Sequence, residues 1–169
     1  MLRVDLGQLG REGSAIVAAR LSPTDDLWTG TDLPWTGDIE IDLQATNAGT
    51  GEIVVRGSVT GELRQECKRC LKPLNTPFRS SLVLVFVSDV DPDDEDVGGY
   101  TFEPRSAVLD LGSAVREEVV LAMNPYVVCD PGCRGLCSTC GTNLNEGECD
   151  CVDDETDPRW ATLRNLKDE

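Results

Sequence analysis

The placement of the cysteines constrains this chain more than any other feature. Its 169 residues contain 8 cysteines and no histidine. Six of the cysteines stand in the stretch CDPGCRGLCSTCGTNLNEGECDC, from Cys129 to Cys151, and the other two form CKRC at Cys67 and Cys70. Because histidine is absent, metal sites with nitrogen ligands and catalytic mechanisms that use an imidazole are excluded.

The expected cellular compartment determines whether these thiols are reduced or form disulfides. The first residues, MLRVDLGQLGREGSAIVAAR, lack a basic head followed by an apolar stretch, so we expect no signal peptide and a cytoplasmic protein. Cytosolic thiols stay reduced, which favours metal binding or redox chemistry over a disulfide framework. No apolar run approaches the ~20 residues of a membrane span, so we expect no membrane partner.

Metal binding explains the cysteine spacing best. Two cysteines close in sequence can point at one ion because a tight turn brings their sulfurs onto a tetrahedron of ~2.3 Å bonds. The chain offers four such pairs, which complete two four-sulfur zinc sites with no thiol left over. The pairs are Cys67/Cys70, Cys129/Cys133, Cys137/Cys140 and Cys149/Cys151.

Two arrangements of the pairs are open, and spacing favours one of them. The last two pairs are separated by GTNLNEGE, a length suited to a hairpin, so we assign Cys137, Cys140, Cys149 and Cys151 to one ion. The other ion would then be held by Cys67, Cys70, Cys129 and Cys133, tying the end of a central strand to the segment after a predicted helix. The alternative is a single zinc on Cys129, Cys133, Cys137 and Cys140.

A site of four thiolates has no open position for water or substrate, so such zinc is structural. We therefore expect no enzymatic activity and no small-molecule substrate. The alternative is a thiol redox protein or sensor that uses Cys67 and Cys70, since the intervening Lys68 and Arg69 could lower a thiol pKa. A redox pair usually opens a helix after a strand in a parallel fold, and no such pattern surrounds CKRC.

Alternating apolar and polar residues predict strands up to about residue 105. The predicted strands cover Ser14–Leu21, Asp38–Thr46, Glu52–Cys67 and Asn75–Val87. Glycines within the third of these suggest bulges or a close backbone approach. Short turns between the strands indicate an antiparallel sheet or small barrel. The fold class is therefore α+β, mainly antiparallel β, with one or two short helices and a Cys-rich zinc-binding C-terminal segment.

Two helices and two domains complete the predicted organisation. Residues Leu109–Pro125 are helical in pattern, with Ser113 as the cap, and Asp157–Leu166 form a last short helix. The acidic run Asp89–Asp96 is interpreted as a solvated loop. We expect a β-rich core domain over 1–125 and a Cys-rich zinc-binding tail over 126–169.

The charge distribution bears on partners. A formal net charge of −16 repels phosphate backbones and suits basic partners. One basic cluster interrupts this surface, and two readings of it stay open: contact with RNA or a partner, or compensation for zinc-bound sulfur. Its members are Arg64, Lys68, Arg69, Lys72 and Arg79.

Four motifs in order, CKRCL, LDLGSAVREEVVLAMNP, CRGLCSTCGTNLN and DPRWATL, resemble the YceD family of large-ribosomal-RNA-subunit accumulation proteins. The resemblance covers most of the chain from about residue 50 onward. The departures are small: Ser138 stands where the family often has proline, and Asn124 replaces an apolar residue. Neither position is a proposed ligand.

The resemblance implies a bacterial cytosolic ribosome-biogenesis factor needed for accumulation or processing of large-subunit rRNA, with no known enzymatic activity. It also implies a genomic association with a small, basic ribosomal protein of the large subunit. A basic ribosomal protein or a pre-ribosomal particle is thus the expected partner. A direct RNA-binding zinc module, contacting rRNA through the basic cluster, is a further alternative.

Overall fold

The structure is a computed structural model that describes residues 2–49, 51–88, 99–103 and 105–151. The predicted acidic loop Asp89–Asp96 and the predicted helix Asp157–Leu166 lie outside the described residues. The chain forms two compact units. The first unit comprises Met1–Gln65 and Pro73–Pro125, and the second comprises Glu66–Lys72 and Tyr126–Glu169. The loop Glu66–Lys72, which sequence analysis placed in the core domain, thus belongs with the Cys-rich segment.

The first unit is built from short helices and a mainly antiparallel sheet, as the predicted fold class required. The strands are β1 (Arg3–Asp5), β2 (Ser14–Leu21), β3 (Ile39–Asn47), β4 (Glu52–Glu66), β5 (Pro73–Val87), β6 (Tyr100–Thr101) and β7 (Val108–Asp110). The helices are α1 (Leu6–Glu12) and α2 (Gly112–Ala122), with a 3-10 turn at Asp26–Trp28.

Five strands form one sheet in the order β2-β3-β4-β5-β6, and β1 pairs with β7 in a separate two-stranded sheet. The pairs β2–β3 and β3–β4 are antiparallel, whereas β6 adds to the edge in parallel with β5. The register follows the hydrophobic pattern. Ile39, Ile41 and Leu43 of β3 are buried, while the intervening polar side chains are exposed.

The glycines of β4 mark close approaches, as predicted. A Cβ at Gly57 would lie 2.8 Å from the Cα of Leu43, its partner on β3, and closer still to the carbonyl oxygen of Asp42. A Cβ at Gly61 would lie 2.8 Å from the ring of Trp35. Glycine at these positions lets the backbone of β3 and a buried indole pack directly against β4.

Helix α2 is present as predicted, but the predicted cap is wrong. Ser113 lies inside the helix, and the carboxylate of Asp110 accepts the hydrogen bond from the Gly112 N–H at 2.9 Å. Leu111, Val115 and Val119 are buried at helical spacing, which anchors α2 to the core. Ala122, three residues after Val119 and the last residue of the helix, is exposed.

The second unit is organised differently. Apart from the last residue of β4, its described residues contain none of the helices and strands named above. The buried apolar side chains among these residues belong to Cys67, Cys70 and Cys133. Cysteine side chains are therefore buried in the second unit, whereas aliphatic and aromatic side chains are buried in the first.

Candidate metal centre

All eight cysteines fall into two groups of four. Within each group, the Sγ atoms lie within 4.8 Å of one another. The first cysteine group consists of Cys67, Cys70, Cys129 and Cys133. The second cysteine group consists of Cys137, Cys140, Cys149 and Cys151. These are the groupings that spacing favoured, and the alternative set of Cys129, Cys133, Cys137 and Cys140 is not the one the fold assembles.

Sulfur separations in the first group fit a tetrahedral ion. The Sγ atoms of Cys67 and Cys133 are 3.8 Å apart, and those of Cys70 and Cys129 are 3.6 Å apart. A tetrahedron with metal–sulfur bonds of ~2.3 Å has edges of about 3.8 Å, whereas a disulfide needs about 2.05 Å. The group could therefore hold one metal ion, and its geometry is compatible with zinc.

The backbone turn at Cys67 explains how two sulfurs reach one point. The Leu71 N–H donates to the Cys67 carbonyl oxygen at 2.9 Å, and the Cys67 N–H donates to the Lys72 carbonyl oxygen at 2.9 Å. The Arg69 N–H points at the Cys67 Sγ at 3.4 Å. Leu71 adopts the left-handed conformation with φ of 60°. We call the turn Cys67–Lys72 the first knuckle.

The second cysteine group contains a turn of the same kind. The Gly141 N–H donates to the Cys137 carbonyl oxygen at 2.9 Å, and the Cys137 N–H donates to the Thr142 carbonyl oxygen at 2.8 Å. Gly141, with φ of 74°, occupies the position of Leu71. We call the turn Cys137–Thr142 the second knuckle. Each group is thus one knuckle completed by a second pair of cysteines.

The second pair of the first group is held by backbone and by Arg69. The Cys133 N–H donates to the Asp130 carbonyl oxygen at 3.0 Å. The guanidinium Nη1 of Arg69 donates to the carbonyl oxygens of Cys133 at 2.9 Å and Pro131 at 3.1 Å. The Lys68 N–H donates to the carbonyl oxygen of Val127 at 2.9 Å. Two segments remote in sequence are thereby joined within the second unit.

Thiol pKa values in the first group are spread widely. Burial raises the pKa of the Cys67 thiol, but N–H groups of Cys129, Cys70 and Arg69 outweigh it and bring the pKa down to about 6. A hydrogen bond with Cys133, followed by burial, raises the pKa of the Cys129 thiol to about 12. The Cys67 thiol therefore loses its proton readily, whereas the neighbouring sulfurs disfavour the loss of the proton from Cys129. A cation removes that opposition.

The second group repeats this spread. The hydroxyl and backbone N–H of Thr142 lower the pKa of the Cys140 thiol to about 6. A hydrogen bond with Cys140 raises the pKa of the Cys151 thiol to about 12. Clusters of thiols that cannot all ionise alone are suited to a divalent ion, which takes all four as thiolates.

The two groups differ in exposure. Three members of the first group, Cys67, Cys70 and Cys133, are buried and the fourth, Cys129, is exposed. In the second group Cys140 and Cys151 are exposed, and Cys137 and Cys149 are half-buried. A reactive thiolate must be accessible, and Cys67 is 0% exposed. This burial favours a ligand role for Cys67 over the redox role considered from the sequence.

The basic cluster is divided between the two units. Arg64 and Arg79 lie on β4 and β5 of the first unit, and the other three side chains belong to the first knuckle. All five are exposed. Arg69 nevertheless has a structural role, because its guanidinium binds the carbonyl oxygens of Cys133 and Pro131.

Sequence analysis missed two side chains that support the first group. One is Arg69, which it placed among contact residues. The other is Asn145, whose Nδ2 lies 3.4 Å from the Cys133 Sγ. The sequence signal for Asn145 is the pair Asn143 and Asn145 in TNLN, because asparagine side chains commonly fix turns through hydrogen bonds to nearby backbone.

Comparison with known proteins gives the family. The profile described as "Large ribosomal RNA subunit accumulation protein YceD" matches residues 55–167. An Arabidopsis thaliana protein named "Large ribosomal RNA subunit accumulation protein YCED homolog 1, chloroplastic" is 35% identical over 68 residues, which are 40% of this chain and 21% of that protein. Its counterpart in Zea mays is 25% identical over 178 residues, covering 88% of this chain and 60% of that protein.

A match that covers a larger share of both chains comes from Mycobacterium tuberculosis. An uncharacterized protein of that organism is 28% identical over 170 residues, which are 96% of this chain and 79% of that protein. This chain therefore spans most of the mycobacterial relative but only about a fifth of the Arabidopsis one. No solved structure matches the chain. None of the helices among the described residues has the length and apolar character needed to cross a membrane.

The family match begins in β4 and runs through both cysteine groups. It contains the first knuckle, helix α2 and the second knuckle, which are the segments whose motifs carried the resemblance. The chain belongs to the YceD family.

Proposed function

We propose that this protein is a non-enzymatic ribosome-biogenesis factor that supports accumulation or processing of large-subunit rRNA in the bacterial cytoplasm. The observation that carries the proposal is the family match over residues 55–167. Relatives in Arabidopsis thaliana and Zea mays are named for accumulation of the large ribosomal RNA subunit.

The partner we propose is a basic ribosomal protein of the large subunit, alone or within a pre-ribosomal particle. The net charge of −16 supports a basic partner, because such a surface attracts cationic proteins and repels bare phosphate. Two groups of four thiols support a scaffold role, since four protein ligands leave no coordination position for a substrate.

Zinc is the metal we propose for both cysteine groups. A tetrahedral set of four sulfurs suits zinc, with iron–sulfur clusters as the competing choice. Bound zinc would supply folding energy and a fixed geometry. The two knuckles bring the sulfurs together, and the backbone of the first knuckle directs the Arg69 N–H at the Cys67 Sγ.

Deletion of the gene in its host tests the function. We expect precursor large-subunit rRNA to rise relative to the mature form, measured by RNA profiling, and complementation by the wild-type chain to restore it. Affinity capture of the tagged chain at moderate salt should enrich large-subunit ribosomal proteins over small-subunit ones. An unchanged rRNA profile combined with no such enrichment would refute the proposal.

Direct contact with rRNA is a second candidate, supported by the exposed side chains of Lys68 and Lys72 on the first knuckle. Replacing both by glutamine should weaken RNA binding and flatten its dependence on salt, by about one unit of slope for each phosphate that the variant no longer neutralises. Arg69 is kept intact because its loss would disturb the first group. Arg11→Gln, at an exposed position on α1, is the matched control. Equal RNA affinity and salt slope in all three proteins would remove this candidate.

A further inference from the structure

Asn145 lies in the sequence between two members of the second cysteine group, yet its side chain contacts the first. Cys140 and Cys149 flank it in the chain. Its Nδ2 donates to the Sγ of Cys133 at 3.4 Å. Cys133 is a buried member of the first group. The loop between the second group's cysteines therefore supplies a hydrogen bond to the first group's sulfur.

The orientation of this amide is fixed by its other partners. The Arg134 N–H donates to the Asn145 Oδ1 at 2.7 Å, so the oxygen must face that backbone group. The nitrogen then faces Cys133, and its second hydrogen is directed at the Asn143 Oδ1 at 2.8 Å. All three hydrogen-bonding positions used by the amide have partners, so it is held with N–H toward sulfur.

Backbone hydrogen bonds hold the loop in place. The Leu144 N–H donates to the Gly135 carbonyl oxygen at 2.9 Å, and the Leu136 N–H donates to the Arg69 carbonyl oxygen at 3.0 Å. Gly135 has φ of 77°, and a Cβ there would lie 3.0 Å from the Arg69 carbonyl oxygen. The segment carrying Gly135 thus passes between the first knuckle and the loop that presents Asn145.

We propose that Asn145 is a positioning residue for metal at the first cysteine group, and that it makes retention of that metal depend on the loop between Cys140 and Cys149. An N–H group directed at a thiolate stabilises its negative charge and fixes its direction toward the ion. The inference rests on the zinc content proposed above. It is independent of the role in rRNA accumulation.

The decisive variant is Asn145→Asp. Aspartate keeps an oxygen for the Arg134 N–H but replaces the N–H donor with a second oxygen beside the Cys133 sulfur. The matched variant is Thr142→Val, which removes the hydroxyl that lies 3.1 Å from the Cys140 Sγ in the second group. The two changes are close in sequence, and each removes one hydrogen bond to one sulfur.

The assay is alkylation of the full-length, zinc-loaded protein in the presence of a competing chelator, with each cysteine followed by peptide mass spectrometry. For Asn145→Asp we expect the four cysteines of the first group to label about 10–100-fold faster than in the wild type, the usual effect of removing a hydrogen bond to a metal ligand. Cysteines of the second group should label at the wild-type rate. Thr142→Val should give the reverse pattern.

Coupling is tested by adding Cys149→Ser, which opens the second group. This change should accelerate labelling of the first group in the wild-type background and much less in Asn145→Asp. Unchanged labelling of the first group in Asn145→Asp, or equal acceleration of all eight cysteines, would overturn the inference while leaving zinc binding intact. Rapid labelling of the wild-type protein before chelator is added would overturn both.

Discussion

Removal of the metal should unfold the second unit and leave the first unit folded. The reason lies in what each unit buries. The first has a continuous aliphatic and aromatic core that includes Ile41, Val55 and Val115. The described residues of the second bury the side chains of Cys67, Cys70 and Cys133 in place of such a core.

The magnitude follows from this difference. Structural zinc bound by peptides contributes on the order of 10 kcal/mol of apparent folding free energy per site. An entire domain is typically stable by only about 5–15 kcal/mol. Losing either ion therefore removes as much free energy as a unit of this size has available, and losing both exceeds it. The first unit contains no member of either cysteine group, so removal of the metal takes no comparable folding free energy from it.

Hydrogen exchange with mass spectrometry measures this directly. After treatment with a strong chelator, peptides covering Glu66–Lys72 and 126–151 should exchange within the dead time, including the bonded N–H groups of Lys68 and Leu136. Peptides from β3 and β4 should stay protected, and zinc should restore protection in the second unit. Retained protection of the second unit in demonstrably metal-free protein would refute the reasoning, since its stability would then come from another source.

Two further predictions concern packing and pH. Gly57→Ala places a methyl group against the Leu43 backbone and should destabilise the first unit by about 3 kcal/mol, lowering Tm by about 6–12 °C in a thermal melt. Gly10→Ala, on α1 with no atom within 4 Å of the new methyl, should instead stabilise by about 0.5–1 kcal/mol, and equal losses in both variants would contradict this account. Metal affinity, measured by chelator competition, should rise from pH 6 to pH 8 because the metal displaces protons from the thiols. Hydrogen bonds within the two cysteine groups raise the pKa of the Cys129 and Cys151 thiols to about 12, so these protons must be displaced over the whole pH range. Metal affinity that does not change with pH would count against thiolate ligation.

The four longer strands, β2 to β5, could be predicted from the sequence because more exposed and less exposed side chains alternate along them. The strands β1, β6 and β7 have two or three residues each, too few to show such a pattern, and were not predicted. The alternation in Asp38–Thr46 predicted β3, observed at Ile39–Asn47. Helix α1 was missed because its seven residues include Gly7 and Gly10, which are poor helix formers. Its signals were at the ends: the Asp5 side chain accepts from the Gln8 N–H, and Gly13 closes the helix with φ of 74°.

The cysteine groups could be inferred from spacing, but the interactions that support them could not. Sequence distance shows which cysteines are able to share a turn, as in the first and second knuckles. It carries no sign that the Arg69 guanidinium binds the carbonyl oxygen of Cys133, or that Asn145 reaches the sulfur of the same residue. Those hydrogen bonds arise because Glu66–Lys72 and 126–151 fold together, which depends on the path of the chain between them.

The first cysteine group also imposes an order of events during synthesis. Cys129 follows Cys70 by 59 residues in the chain, which a ribosome adds in about 3–12 s at about 5–20 residues per second. Throughout that interval the thiols of Cys67 and Cys70 lack the other two members of their group and can react with oxidants or bind other metal ions. The first cysteine group can be completed only after α2 has been made, so the whole chain of the first unit is synthesised before a metal can bind all four sulfurs.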